Sequence, residues 1–328
     1  MVTLNAVDRL DVQVLVDNVT DFLSTTPANV QGERVALLRA GLTEQAGEHY
    51  CCAHFGLSLV ITVLANGTQH TVLFDAGPEG YVVERNGTRL GINFGAIESV
   101  ILSHGHWDHA GGLTTALERI RAHNGGRAVP YYMHPGMFRP RGARLPDGTV
   151  LPQKPLASVE ALTAGGALVV NTPTPQVFLD DCFYVSGEIP RVTPYERGMP
   201  PTHLRRTEDG TGWEHDQWIM DESFVVVRVR EKGLVVFTAC SHAGVVNVLT
   251  HARATFPDTP LYAVMGGLHL SGAEPEKIIP DTVQGLTAFG LHMIVPAHCT
   301  GWRAVTALVN TFGDEVVAPA AVGKRYTF

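Results

Sequence analysis

Directly behind the apolar run Val100-Ile101-Leu102, the segment Ser103-His104-Gly105-His106-Trp107-Asp108-His109-Ala110-Gly111-Gly112 places three imidazoles and a carboxylate within six positions. This feature constrains the fold most. A strand must open here into a loop whose side chains converge on one point, and the rest of the chain must be built around that point. Histidine nitrogen and aspartate oxygen are donors that a zinc-like divalent ion takes, and the alternating spacing lets them meet as the strand opens. A solvated, histidine-rich loop without an ion is the plain alternative.

The same strand-to-polar-loop grammar recurs along the chain. A strand over 11–16 ends at Asp17-Asn18. A strand over 56–64, the hairpin turn Asn66-Gly67 and a returning strand over 71–74 run into Asp75-Ala76-Gly77. Later, strands over 223–229 and 234–238 flank a turn at 231–233 and run into Ala239-Cys240-Ser241-His242-Ala243-Gly244, which reads as a weak internal duplication. Strands over 96–102, 261–265 and 292–295 deliver the histidine cluster, Gly266-Gly267-Leu268-His269 and Pro296-Ala297-His298-Cys299, with helical patterns over 113–123, 245–256, 280–290 and 304–312 between them. Strands alternating with helices around apolar hairpins predict a layered α/β fold with its functional groups on loops at one edge. The expectation is a single domain over 1–328, in two βαβ-type halves of about 1–185 and 186–328.

Two stretches resist this pattern. Residues 134–156 and 189–221 are rich in Pro, Gly, Arg and Thr and too long for ordinary connections. They read as two long loop insertions, lids or pocket walls, with disordered surface insertion as the alternative. They carry Arg139, Arg141, Arg144 and Lys154, then Arg191, Arg197, Arg205 and Arg206. Guanidinium matches phosphate or carboxylate in two-pronged fashion, so a small anionic substrate held by Arg191, Arg205 and Arg206 is expected. Trp213, Trp218, Tyr195 and Phe183 are candidates for an aromatic wall.

A hydrophobic content of 45% with 17% charged residues fits a globular enzyme with a sizeable core, and a formal charge of −8 disfavours a general nucleic-acid binder. No signal peptide or apolar run of membrane-spanning length is read, so no membrane partner is expected. Five cysteines without a scaffold pattern suit a reducing cytoplasm, which is the expected location. Oligomeric state has no signature in the sequence.

With these residues in view, the chain resembles the metallo-β-lactamase-fold superfamily, whose H-x-H-x-D-H signature matches His104, His106, Asp108 and His109. The resemblance runs from about Asp11 to the end and implies a four-layer αββα sandwich. It also implies two divalent metal ions, zinc first with manganese or iron as alternatives. In that superfamily the first two histidines bind one ion, and the aspartate with the next histidine binds a second. Val72-Leu73-Phe74-Asp75-Ala76-Gly77 matches an early strand end whose Asp75 would orient a histidine ligand, a turn-forming aspartate being the alternative.

A narrower similarity, to the subgroup named for dihydropterin-ribofuranosylaminobenzene-phosphate synthase, rests on Leu15-Val16-Asp17-Asn18, Ser186-Gly187-Glu188-Ile189-Pro190-Arg191, Cys240-Ser241-His242-Ala243-Gly244, Gly266-Gly267-Leu268-His269-Leu270 and His298-Cys299-Thr300-Gly301. The chain departs from the general pattern in two places. The usual third histidine is replaced by Ser186-Gly187-Glu188, and the usual bridging aspartate by Ala239-Cys240. His242 is therefore expected to supply one missing donor and His298 the terminal histidine, while Cys240 is read as a neighbour of the site, either thiolate ligand or small buried cysteine. His269 is open between ligand, general acid and substrate donor.

The resemblance implies hydrolysis of a phosphoester or other anionic ester-like bond, with Asp108 anchoring the nucleophile and His269 donating a proton. A pterin-type transfer that displaces pyrophosphate is the runner-up. A non-catalytic metal-binding sensor is the third reading.

Overall fold

The computed structural model describes residues 2–328. Side chains that alternate along the strands sort them into two large sheets. An eight-stranded sheet has the order Ala167–Asn171, Val129–Met133, Ile97–Ile101, Thr68–Phe74, Ser58–Ala65, Arg9–Val16, Arg325–Thr327, Val30–Gln31. A seven-stranded sheet has the order Gln176–Phe178, Phe183–Val185, Val225–Val229, Gly233–Thr238, Leu261–Gly267, Met293–Ala297, with Ala6–Val7 beside Val225–Val229.

Val12, Val14, Leu59, Ile61 and Phe74 of the first sheet share one buried layer with Val225, Val227, Val235, Phe237 and Met265 of the second. The intervening Leu15, Val60 and Leu73 turn the other way and join the buried faces of the helices Gly80–Arg89 and Leu113–His123. Behind the second sheet, Val226, Val236, Val264 and Ile294 pack on Val245–Thr255, Ile279–Leu286 and Trp302–Phe312. The result is the expected four-layer αββα sandwich. Each large apolar side chain in these layers contributes roughly 1.5–3 kcal/mol of burial.

The predicted hairpins form, the first through Asn66 (φ 50°) and Gly67 (φ 84°), left-handed as a two-residue turn requires. Each outgoing strand lies parallel to the next one: Thr68–Phe74 beside Ile97–Ile101, and Gly233–Thr238 beside Leu261–Gly267 and then Met293–Ala297. Parallel strands release their loops at the same carboxyl edge, which gathers the histidines.

The two insertions differ from the expected irregular loops. Arg141–Arg144 with Val150–Pro152, and His203–Arg206 with Trp213–His215, are hairpins that pair with each other as a separate four-stranded sheet, through Ala143 opposite His203 and Arg141 opposite Arg205. Asp147 and Asp209 brace the two turns by accepting from Thr149 and Thr211. Among the described residues no helix is long and apolar enough to cross a membrane, and the five cysteines are free thiols.

Candidate metal centre

Four strand ends facing the site turn through a non-glycine residue in the left-handed region: Asp75 (φ 58°), Ser241 (φ 54°), His269 (φ 47°) and His298 (φ 46°). Such a conformation costs on the order of 1–3 kcal/mol and persists where surroundings enforce it, as at sites that aim side chains. After Ile97–Ile101 the chain breaks at Ser103, and His106 precedes the short helix Trp107–Ala110 that carries Asp108 and His109. Gly105 is required between the histidines. A Cβ there would stand 2.5 Å from Arg141 Nη1 and 2.6 Å from the Met137 carbonyl.

Two donor groups result. His104 Nε2, His106 Nδ1 and His242 Nε2 form a triangle with sides of 3.0, 3.1 and 3.2 Å. Three imidazole nitrogens cannot satisfy one another pairwise as donors and acceptors, whereas nitrogens ~2.0–2.1 Å from a tetrahedral ion stand roughly 3.3 Å apart. The second group is Asp108, His109 and His298, with His298 Nε2 3.3 Å and His109 Nε2 3.8 Å from Asp108 Oδ2. Both groups are buried.

The far nitrogens set the tautomers. Asp75 accepts from the Ser103 backbone and hydroxyl (both 2.7 Å) and from His109 Nδ1 (2.7 Å), and the Ser103 hydroxyl in turn accepts from His104 Nδ1 (2.8 Å). Asp75 thus turns the Nε2 atoms of two histidines toward the centre. His298 Nδ1 donates to Asn18 Oδ1 at 2.9 Å, which leaves its buried Nε2 without a hydrogen-bond partner. His106 Nε2 meets His203 Nε2 from the second insertion at 3.0 Å.

Carboxylates hold the loops as well as the rings. Asp17 accepts from His298 N (2.7 Å), Asp221 from Gly105 N (2.9 Å), and Glu222 from His242 N and Ala243 N (2.7 Å each). Asp221 is itself paired with the buried Arg141, which also donates to Asp216 at 2.8 Å. Asp17, Asn18, Ser103, His203, Asp221 and Glu222 were not anticipated as site residues. For Asp17, Asn18 and Ser103 the one signal is an acidic or polar side chain close behind a strand; His203 lies within a strand of the third sheet.

Burial, with neighbouring imidazoles adding to it, holds His104, His106 and His242 well below the usual histidine range, so they are neutral with free lone pairs. Burial works against a charged His109, yet Asp108 and Asp75 push it up to about 9. Burial raises Asp17 to about 6, against the pull of the His298 backbone N–H. Cys240 reaches His109 Nε2 at 3.1 Å. Burial pushes its thiol well up. The His269 ring packs on His242 at 4.4 Å between centroids, half-buried, with Nδ1 unpartnered.

Beside His242 and His269 lies a cleft of about 580 Å³ walled by Tyr195, Met199, Pro200 and Leu268, so the second insertion supplies one side of it. The three arginines expected to bind substrate do not line this cleft. Arg191 donates to the carbonyls of Ile189 and Trp218, Arg205 pairs with Glu214 at 2.9 Å, and Arg206 stacks on Trp213 at 4.3 Å. Each is engaged by acceptors or a ring within its own insertion.

A family model described as the metallo-beta-lactamase superfamily matches residues 55–214. The chain is 31% identical over 266 residues, 79% of its length and 85% of the relative's, to the 7,8-dihydropterin-6-methyl-4-(β-D-ribofuranosyl)-aminobenzene-5′-phosphate synthase of Methanocaldococcus jannaschii. It is 26% identical to an uncharacterized protein of the same organism, covering 79% of this chain and 90% of that one. Among solved structures, a metal-dependent hydrolase of the β-lactamase superfamily aligns with a TM-score of 0.68 at 23% identity, covering 96% of this chain and 98% of that one. Unliganded yeast PDE1 aligns with a TM-score of 0.53 at 11% identity, covering 98% and 100%. At these identities the structural likeness speaks for the fold.

Proposed function

Because the chain belongs to the metallo-β-lactamase superfamily, in the branch of the dihydropterin-ribofuranosylaminobenzene-phosphate synthase, we propose that it is a metal-dependent enzyme hydrolysing a phosphoester or other anionic ester-like bond of a small molecule. The observation that carries this is the pair of buried donor groups, the first of which reaches a cleft through His242. His104, His106 and His242 would hold one divalent ion, and Asp108, His109 and His298 a second, with zinc suited to the nitrogen-rich donors and manganese or iron the alternatives. Ions so held supply Lewis acidity, drawing charge from a phosphoryl or acyl oxygen and acidifying water.

The chain's own groups do the rest. Asp75, through Ser103 and directly, keeps Nε2 of His104 and of His109 facing the centre. Asp108, held below the usual carboxylate range by His109 against its burial, is an ionised acceptor that orients the attacking water. His269 lines the cleft and offers a proton to the leaving oxygen. Leu268, Met199 and Pro200 give the cleft an apolar wall beside His242 and His269.

Transfer to an aromatic amine, in keeping with the relative's name, is the second reading. It is favoured by the cleft, whose Tyr195, Met199, Pro200 and Leu268 wall suits a flat ring. One panel separates the readings: phosphomonoester, phosphodiester and lactone substrates assayed beside a pterin pyrophosphate with an aminobenzene acceptor. Hydrolysis predicts turnover of at least one of the first three. Turnover of the last alone overturns it in favour of transfer, and metal retention without turnover on any member overturns both.

A further inference from the structure

A further potential donor stands between the two groups. Asp108 belongs to the second group, and Asp75 is fully taken by Ser103 and His109. Among the described residues, the cluster of potential donors that takes one member from each group is His104, His109 and Cys240, all within 4.8 Å of one another. The Cys240 sulfur stands 3.1 Å from His109 Nε2. A thiolate at this position has lone pairs for two cations, and sulfur with imidazole is a donor set that zinc accepts.

Backbone geometry supports this placement. Ser241 sits in the left-handed region, and its hydroxyl reaches the Gly267 carbonyl at 2.8 Å and Thr238 Oγ1 at 2.9 Å. The turn is pinned at its middle residue, so the residues on either side, Cys240 and His242, are both aimed at the centre. Glu222 fixes the far side of the same turn through the backbone of His242 and Ala243. Cys299, by contrast, directs its thiol at the Cys240 carbonyl at 3.6 Å and clusters only with Cys240 and His269, apart from both donor groups.

We propose that Cys240 bridges the two ions as a thiolate, its S–H proton passing to solvent as the ions bind and one sulfur lone pair going to each. This rests on the reading that the two donor groups hold one ion each. X-ray absorption at the zinc edge on the full chain loaded with zinc tests it, together with zinc content by elemental analysis. The expected result is two zinc ions per chain and one sulfur neighbour per zinc at about 2.3 Å. Cys240→Asp, which keeps an anionic donor, should retain both ions and lose the sulfur neighbour; Cys299→Ser should leave it in place. Half a sulfur per zinc, a terminal ligand on one ion, overturns the bridge while leaving the two-ion reading intact, as does a spectrum with no sulfur. Fewer than two zinc ions in the unaltered protein overturns the two-ion reading and the bridge with it.

Discussion

The eight-stranded sheet presents its donors in a single loop, His104 to His109, whereas the seven-stranded sheet presents Cys240 with His242, then His269, then His298, from three separate strand ends. The first arrangement is local: six residues and one short helix decide where the side chains go. The second depends on register. Thr238 lies opposite Gly266, and Gly266 opposite Pro296, so the three parallel strands finish level. A one-residue slip would move a donor by about 3.3 Å and turn it to the other face. Each edge is also tied to the other half of the chain, His298 by Asp17 and Gly105 by Asp221.

Removing a donor should have the largest effect and breaks the comparison most directly. His104→Ala takes a ring from the loop that feeds both groups and should abolish turnover and lower zinc content. His298→Ala removes a donor from the second group alone and should leave close to one ion per chain. Elemental analysis of the two purified variants decides this. Full occupancy in His298→Ala would mean that His298 is not needed to hold the second ion.

Next in size is Arg141→Met, which tests whether the insertions matter to the loop. Arg141 is 4% exposed and sits between Asp216 and Asp221, and Asp221 holds the Gly105 backbone. Breaking a buried pair by removing one partner costs roughly 3–5 kcal/mol because the remaining charges stay buried. A urea unfolding midpoint equal to that of the unaltered protein would reduce the small third sheet to decoration.

The same contrast decides what was readable in the sequence. His104, His106, Asp108 and His109 announce themselves because their geometry is local. His242 and His298 are recognisable as histidines just past apolar strands; the family resemblance points His298 to the second group, whereas only register shows which group His242 joins. Asp17 reads as the end of a strand, Asp221 as the end of an insertion and Glu222 as the residue before a strand, because nothing local says that their carboxylates reach loops 281, 116 and 20 residues away. The third sheet left a trace in Asp147-Gly148 and Asp209-Gly210, both strong hairpin turns. Their strands pair across some sixty residues, too far for a periodicity to register. Arg191, Arg205 and Arg206 misled for a related reason, whereas Arg197 of the same insertion does line the cleft. Charge type names the class of partner but not its address, and Arg205 finds Glu214 before any substrate.

Among the anchors, Glu222→Gln should outweigh Asp17→Asn. The Glu222 carboxylate accepts one backbone N–H on each oxygen, and an amide would face one of them with its own N–H. Losing such a support typically weakens metal binding by about 10–100-fold. Asp17 makes a single bond to His298, which Asn18 also holds by its side chain, so Asp17→Asn should fall at or below the lower end of that range. Competition with a chelating dye gives both affinities; equal losses would show that redundancy at the His298 loop is only apparent.

The smallest effect is expected from Arg205→Ala and Arg206→Ala. Both lie on the third sheet, Arg205 held by Glu214 and Asp216 and Arg206 against Trp213, and neither faces the cleft beside His242. With the substrate that the panel identifies, KM and kcat should stay near those of the unaltered protein. Arg141→Met, on the same sheet, should lower kcat through the His104 loop and leave KM less affected. The split is informative because all three side chains carry the same charge. If Arg205→Ala raised KM while leaving kcat alone, the second insertion would have to swing its outer face toward the cleft during turnover, and it would count as a moving lid rather than a fixed wall.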